Sequence, residues 1–371
     1  MIQFLYLSVL AGLLWWLVSN AATNLKNQGI ASGFGFLSAR AGFSMIQSLI
    51  QFSGESSYGR AFFAGLLNTI MISAIGLFLS TILGFFIGIS RLSSNWLLRS
   101  SAAIYIESIR NIPLLLQIFF WYFVVLRSLP GPKDSYSIAN LFFLNNRGLM
   151  IPTMDTGTLS GLSLCILSGV FLAFFIYALF NKYFPHNRSL SFKFIFFLSP
   201  PSLITIGYLV ANYPGIHFSI PALSGFNFTG GLTIIPEMSA LVLALSIYTA
   251  SFIGEIVRAG IQSVSKGQLE AAKALGFNQT QTLRLIIIPQ AMRVIVPPLT
   301  SQYLNLTKNS SLGAAIGYPE LVSVFAGTVL NQTGQAVEVV GITMTVYLSL
   351  SLSISLFMNW FNKYQALKGT R

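Results

Sequence analysis

Long apolar stretches separated by short polar ones recur along most of this chain. About twenty apolar residues in a helix, at roughly 1.5 Å each, cover the hydrocarbon core of a bilayer, roughly 30 Å thick. Eight stretches are expected to be spans, approximately 3–20, 63–90, 100–128, 159–181, 192–212, 238–258, 286–306 and 336–361. The third is the least uniform, because Glu107 and Arg110 fall in its first half. That half reads as an amphipathic lead-in, with Ile112 to Val125 as the deeper span.

The texture changes between the third and sixth spans. A turn-forming LPGPKDS opens this stretch, two spans lie within it, and YPGIHFSIPALSGFNFTGG closes it as a loop rich in Gly, Pro, Asn and Phe. Residues 129–236 therefore read as an insertion into a helical core formed by 61–128 and 237–371. Residues 1–60 supply an N-terminal span and a Gly-rich, aromatic segment expected to lie on the membrane surface. No fixed-period repeat is visible. FLYLSVLAGLLWWLV has no Lys or Arg before it, so it reads as a retained span rather than a cleaved leader.

Composition agrees with a membrane protein: 54% of residues are hydrophobic and only 8% charged, against about a quarter charged in soluble domains. The formal charge of +12 comes from basic residues scattered singly rather than gathered in a patch, which argues against nucleic acid and for membrane orientation. With the N-terminus in the cytoplasm, thirteen Lys and Arg face inward and seven outward, with Arg293 inside a span, which accounts for all 21. Both termini are then cytoplasmic. Cys165 stands alone, so there is neither a disulfide framework nor a cysteine metal site. His186 and His217 fall on opposite sides of the membrane and cannot share a metal. No metal site is expected.

Against this background residues 265–289, SKGQLEAAKALGFNQTQTLRLIIIP, stand out as polar. Ser265 and Gln268 have capping-box spacing, and Gly276 is placed to end the short helix that follows. Asn278 and Gln281 repeat the spacing and start a second helix that enters the membrane near Pro289. The expected result is a rigid knuckle on the cytoplasmic side. Ala271, Ala272, Ala274 and Leu275 give its first helix a small, smooth face, while Glu270 and Lys273 offer charge to each other or to a partner. The residues alone fit equally a solvated helix that merely connects two spans.

Glu270-Ala271-Ala272, three residues, Gly276, nine residues, Ile286, two residues and Pro289 resemble the EAA-loop signature of permease subunits of binding-protein-dependent ABC importers. Ile288 departs from it, since Leu is usual before the proline. LLNTIMIS (66–73), ESIRNIPLLLQIFFWYF (107–123), GEIVRAGIQSVSKGQ (254–268) and LTKNSSLGAAIGYPEL (306–321) extend the resemblance to the polar amino-acid permeases, over roughly 61–128 and 237–365. The resemblance implies an all-α polytopic protein of the type I importer permease fold, with a five-helix core, an N-terminal helix and a two-helix insertion. It also implies that Glu270, Ala271, Ala272, Lys273 and Gly276 dock on a cytoplasmic ATPase dimer. An external binding protein would deliver an L-amino acid through a multi-pass protein of the bacterial inner membrane. The N-terminal helix and the insertion are similar to larger-type subunits that pair with a second, non-identical permease.

No GxxxxGK[ST] string occurs, so this chain is expected to bind no nucleotide itself. ATP and Mg belong to the partner ATPase, and no catalytic residue is assigned.

An amino-acid zwitterion needs donors for its carboxylate and acceptors for its ammonium. Gln117, Tyr248, Thr249, Ser251, Asn305 and Lys308 are the candidates for the translocation path, although a residue of each kind is more often a helix-packing group than a ligand. Among ionisable groups in or near spans, Glu255 and Arg258 at i,i+3 are expected to neutralise one another, and Glu107 and Arg110 likewise. KNSSLGAAIGYPEL suggests irregular backbone beside a cavity, and Pro297-Pro298 a break in the seventh span. An ion-coupled secondary transporter is the alternative. An intramembrane enzyme is a third class, for which no nucleophile with a base and no metal cluster is visible.

Overall fold

The computed structural model describes residues 2–27, 33–154 and 218–367. The expected spans at 159–181 and 192–212, together with Cys165, His186 and His217, lie outside them. The chain forms two compact units, one from Met1–Leu126 with Glu237–Arg371 and the other from Arg127–Pro236.

Helices make up the first unit. They are α1 (Ile2–Asn27), α2 (Tyr58–Ser90), α3 (Trp96–Asn111), α4 (Leu114–Phe119), α5 (Pro236–Gln262), α6 (Lys266–Ala274), α7 (Gln279–Thr282), α8 (Ile288–Asn309), α9 (Leu330–Thr333) and α10 (Ala336–Leu367). Wider π-type turns continue α4 to Leu126, join α7 to α8 through Leu283–Ile287, and lead into α9 over Val322–Val329. Among the described residues four helices are long and apolar enough to cross a membrane: Tyr58–Ser90, Pro236–Gln262, Gln279–Ile316 and Ala336–Lys363. These fall on the second, sixth, seventh and eighth expected spans. The apolar run of α1, Phe4–Leu17, covers the first.

The third expected span is not one helix. α3 and the α4–Leu126 helix meet at 105°. Pro113 has no N–H to give and forces the residue before it out of helical geometry, so Ile112 is extended at φ −98°, ψ 126°. The seventh span differs in the opposite sense, because α8 runs unbroken through Pro297 and Pro298. Arg293 and Val294, whose carbonyls those prolines cannot bond, are exposed residues of the helix.

α2 shows how the helical unit is packed. Its buried face carries Ala61, Gly65, Gly76, Ser80, Gly84 and Gly88, at spacings of four apart from the eleven residues, about three turns, between Gly65 and Gly76, while Phe63, Phe78 and Phe86 point outward. Large side chains outside and small ones inside is the arrangement expected in lipid, where burying a Phe gains nothing over leaving it among acyl chains and close backbone approach gives the attraction. A Cβ built on Gly84 would lie 2.5 Å from the Ile253 side chain, and one on Gly88 would lie 2.6 Å from the Gly254 carbonyl oxygen and 2.7 Å from Val257 Cβ. Gly254 answers with its own bare surface, against Ile87 and the Gly84 carbonyl. At the other end Asn68 of α2 donates to the Gln47 carbonyl (3.1 Å), and the Gln47 amide reaches Met238 of α5 (3.1 Å). Positions 68 and 238 therefore share one level and 88 and 257 another, so α2 and α5 run in the same direction.

α8 joins this pair through Thr81 and Tyr303, whose hydroxyls lie 2.8 Å apart. Ile253 and Val257 of α5 pack with Ala291, Ile295 and Leu299 of α8 and Met358 of α10. The segment before α2 folds back onto the helices: Phe36 and Ala41 bury with Tyr58, Leu321, Val324 and Phe325.

The second unit contains short strands in segments that the sequence reading took for loops. β1 (Tyr136–Ile138), β2 (Phe142–Asn145), β3 (Gly148–Ile151) and β8 (Leu232–Ile234) form an antiparallel sheet in that order. β4 (Thr153–Met154) pairs with β5 (Phe218–Ser219), and β6 (Ala222–Ser224) with β7 (Asn227–Thr229). Gly225, at φ +63°, makes the two-residue turn of the β6–β7 hairpin possible. The strand where the inserted chain leaves, β3, pairs with the strand where it returns, β8, through Leu149 and Ile234. The turn residues were legible in the sequence; a strand partner some eighty residues away was not.

Substituting Gly88→Val should cost on the order of 1–3 kcal/mol or more through overpacking, seen as a lower unfolding midpoint of the detergent-purified protein. Gly341→Ala, where a new Cβ meets nothing within 4 Å, should leave that midpoint unchanged.

Candidate functional site

The knuckle is built by local bonds. The Gly276 N–H donates to the Lys273 carbonyl and the Phe277 N–H to the Ala272 carbonyl, both at 3.0 Å, closing α6 in a Schellman motif. Gly276 takes φ +75°, which a side chain would strain. Two residues on, the Gln281 N–H donates to Asn278 Oδ1 (2.8 Å) and the Asn278 N–H to Gln281 Oε1 (3.0 Å), a complete capping box. Ser265 does begin α6, but its side chain makes no capping bond. Ala272 is buried and faces inward; Glu270, Ala271, Lys273 and Gly276 are exposed, and Leu275 beside them is 73% exposed. Leu275 thus stands as a single exposed apolar side chain among polar neighbours at the end of α6.

The α5 pair behaves as its spacing predicts: Arg258 Nε donates to both oxygens of Glu255 at 3.0 Å, and an Arg258 terminal nitrogen also bonds Glu255. Glu107 and Arg110 do not pair. Glu107 faces Arg91 at 3.8 Å, and the Arg110 guanidinium lies 4.8 Å above the Phe252 ring. Helical spacing permits an i,i+3 bond, but the neighbouring helices offer each group another partner.

The candidates for the path separate. Gln117 Nε2 donates to the carbonyls of Ile109 and Ile112, both at 3.0 Å, and so closes the end of α3 at the 105° elbow. Ser251 donates to the Tyr248 carbonyl (2.6 Å), and the Tyr248 ring packs 5.0 Å from Phe252. Thr249 is buried beside them. Asn305 and Lys308 are exposed one turn apart on α8. Lys308 borders a cavity of about 350 Å³ with Ser311, Val322, Tyr347, Leu348 and Ser351. No hydrogen bond, ion pair or ring contact links it to the α5 group among the described residues.

Comparison with known proteins now bears on these features. The family described as "Binding-protein-dependent transport system inner membrane component" matches residues 186–368. The putative amino-acid ABC transporter permease protein YhdX of Escherichia coli (strain K12) is 51% identical, over 98% of this chain and 93% of its own length. The general L-amino acid transport system permease protein AapQ of Rhizobium johnstonii is 48% identical, over 98% and 91%.

This chain belongs to that permease family.

A solved structure titled "Crystal structure of an amino acid ABC transporter with histidines" shares the fold, with a TM-score of 0.50 at 22% identity over 83% of this chain and 95% of that one. The importer reading therefore stands, and the ion-coupled alternative falls away.

A buried carboxylate that the sequence does not single out caps a helical stretch beside Lys308. Glu320 is fully buried. Its two carboxylate oxygens accept the N–H groups of Val322 (2.8 Å) and Ser323 (2.6 Å), and Tyr347 OH donates to it at 3.2 Å. It anchors the helical stretch that follows and holds Tyr347 in the wall of the Lys308 cavity. The signal was a carboxylate directly before an apolar run, where helix N-termini favour acids; it was hidden because KNSSLGAAIGYPEL reads as loop. Within that stretch Ser310–Ile316 forms a 3-10 helix ended by Gly317 in the left-handed region, and the backbone up to Glu320 is irregular.

If the Gln117 amide holds the elbow, Gln117→Leu should leave carbonyls bare and cost about 1–3 kcal/mol, lowering the unfolding midpoint of the purified permease. A transport defect at unchanged midpoint would instead make Gln117 a substrate contact.

Proposed function

We propose that this chain carries L-amino acids across the bacterial inner membrane as the permease subunit of an ABC importer, with both termini in the cytoplasm. Identity of 51% and 48% along nearly the whole chain to relatives named as amino-acid permeases carries the reading. Its partners are a second, similar but non-identical permease chain, a cytoplasmic ATPase dimer that holds ATP and Mg, and an external substrate-binding protein. The chain itself holds no cofactor and performs no hydrolysis.

The knuckle is the contact through which ATP acts. Leu275 enters a groove of the ATPase, while Glu270 and Lys273 fix the angle of α6. Because α6 is closed by its own backbone and packs on the Leu283–Ile287 turn, a push on it is passed to α5 and α8 instead of being absorbed by bending. ATP binding draws two such knuckles together and shifts a two-state equilibrium between inward-facing and outward-facing arrangements, by as much as the contacts differ between them. Along the path, Lys308 meets the substrate carboxylate, and Ser311 and Tyr347 supply further polar contacts in a cavity of about 350 Å³, a size suited to small ligands. Of the remaining candidates Tyr248 and Asn305, which are not buried, line the path with groups that carry no fixed charge.

Glu270→Lys and Leu275→Asp should each leave the permease folded in the membrane while the ATPase no longer co-purifies. Loss of the leucine anchor alone, worth about 1.5–3 kcal/mol, should weaken assembly roughly ten- to a hundredfold. Retained assembly and coupled transport in both would return the knuckle to a mere connector. Lys308→Met should raise the amino-acid concentration for half-maximal uptake into proteoliposomes about tenfold at unchanged assembly with the ATPase.

A further inference from the structure

The start of α2 carries a second polar site, far from the knuckle. Gln51, Phe52, Ser53, Ser56 and Arg60 line an open concavity of about 370 Å³. Its shape is fixed by bonds that use one edge of each group and leave another free. Arg60 Nε donates to the Gln51 carbonyl (2.6 Å), and among the described residues its two terminal nitrogens form no ion pair. Ser56 Oγ accepts the Ser53 N–H (3.2 Å) and keeps its own proton to give. Phe52 forms the floor, packed 5.3 Å from Phe43.

Among the described residues no carboxylate borders the concavity. Glu55, the neighbouring acid, is bonded to Arg40, which also donates to the Gly54 carbonyl (3.1 Å). The first turn of α2 adds the partial positive charge of a helix N-terminus. Guanidinium, hydroxyls and helix end together make a site for an anion with two oxygens.

Its place in the fold selects the anion's source. α2 and α5 run in the same direction, and α6 follows the end of α5, so the knuckle lies at the C-terminal end of α2. The 33 residues of α2 reach about 50 Å, more than the hydrocarbon core of a bilayer. Arg60 is therefore on the membrane face opposite the knuckle, the face where a binding protein delivers substrate.

We propose that the Arg60 concavity receives an acidic side chain of the external substrate-binding protein and orients it for delivery. This rests on the permease reading above.

The test is a titration of the reconstituted complex, with its second permease and ATPase, by substrate-loaded binding protein, with ATP hydrolysis as the readout. Arg60→Glu should raise the binding-protein concentration for half-maximal stimulation about tenfold, most strongly at low salt, while hydrolysis without binding protein stays as in the wild type. The Ser53→Ala/Ser56→Ala double variant, which keeps the charge, should shift it less and in the same direction. Wild-type half-saturation in both variants overturns the proposal while leaving the permease reading intact; a wild-type complex that no binding protein stimulates overturns both. A defect that appears in phosphatidylglycerol vesicles and vanishes in phosphatidylcholine assigns the site to a lipid phosphate and also overturns it.

Discussion

Close backbone approach between α2 and α5 is the constraint on which the helical unit depends. Lipid supplies no hydrophobic force between spans, so two helices stay together only where their surfaces touch over a long seam. Gly84, Gly88 and Gly254 provide that seam by having no side chain: a Cβ at Gly84 or Gly88 would displace Ile253, Val257 or a backbone carbonyl, and one at Gly254 would crowd Ile87. The seam also fixes direction. Because the two helices are held side by side and parallel, whatever follows α5 must emerge at one membrane face and whatever precedes α2 at the other. The knuckle and the Arg60 concavity owe their separation to this contact, though neither takes part in it.

Polar groups within the apolar core are mostly committed to structure. Gln117 closes a helix end, Glu320 anchors another, Ser251 returns to its own helix, and Glu255 with Arg258 forms a closed pair. A buried group without such a partner would cost about 1–3 kcal/mol, more if charged. The consequence for a transporter is useful: groups already bonded cannot bind substrate tightly, and a path that must release its cargo is better lined by weak ligands. Lys308 differs because it is exposed beside a cavity instead of being bonded within the fold.

The knuckle works by another rule. Its shape is set within about twenty residues, by the Gly276 turn and by the mutual bonds of Asn278 and Gln281. It can therefore stay rigid while the helices on either side move.

Much of this was readable along the chain. Span lengths follow from bilayer thickness, the end of α6 from the conformational freedom of glycine, the start of α7 from Asn278 and Gln281, and the Glu255–Arg258 pair from helical spacing. Each depends on residues a few positions apart, so a single sequence contains the whole interaction. The elbow at Pro113 was half visible: the proline marks a break, but the 105° turn and the carbonyls that Gln117 must close belong to three dimensions. Glu107 turning to Arg91, Glu320 holding Tyr347, β3 meeting β8 and α8 passing unbroken through Pro297 and Pro298 were decided by tertiary structure alone. In each case the local pattern allowed more than one partner or course, and neighbours distant in sequence made the choice.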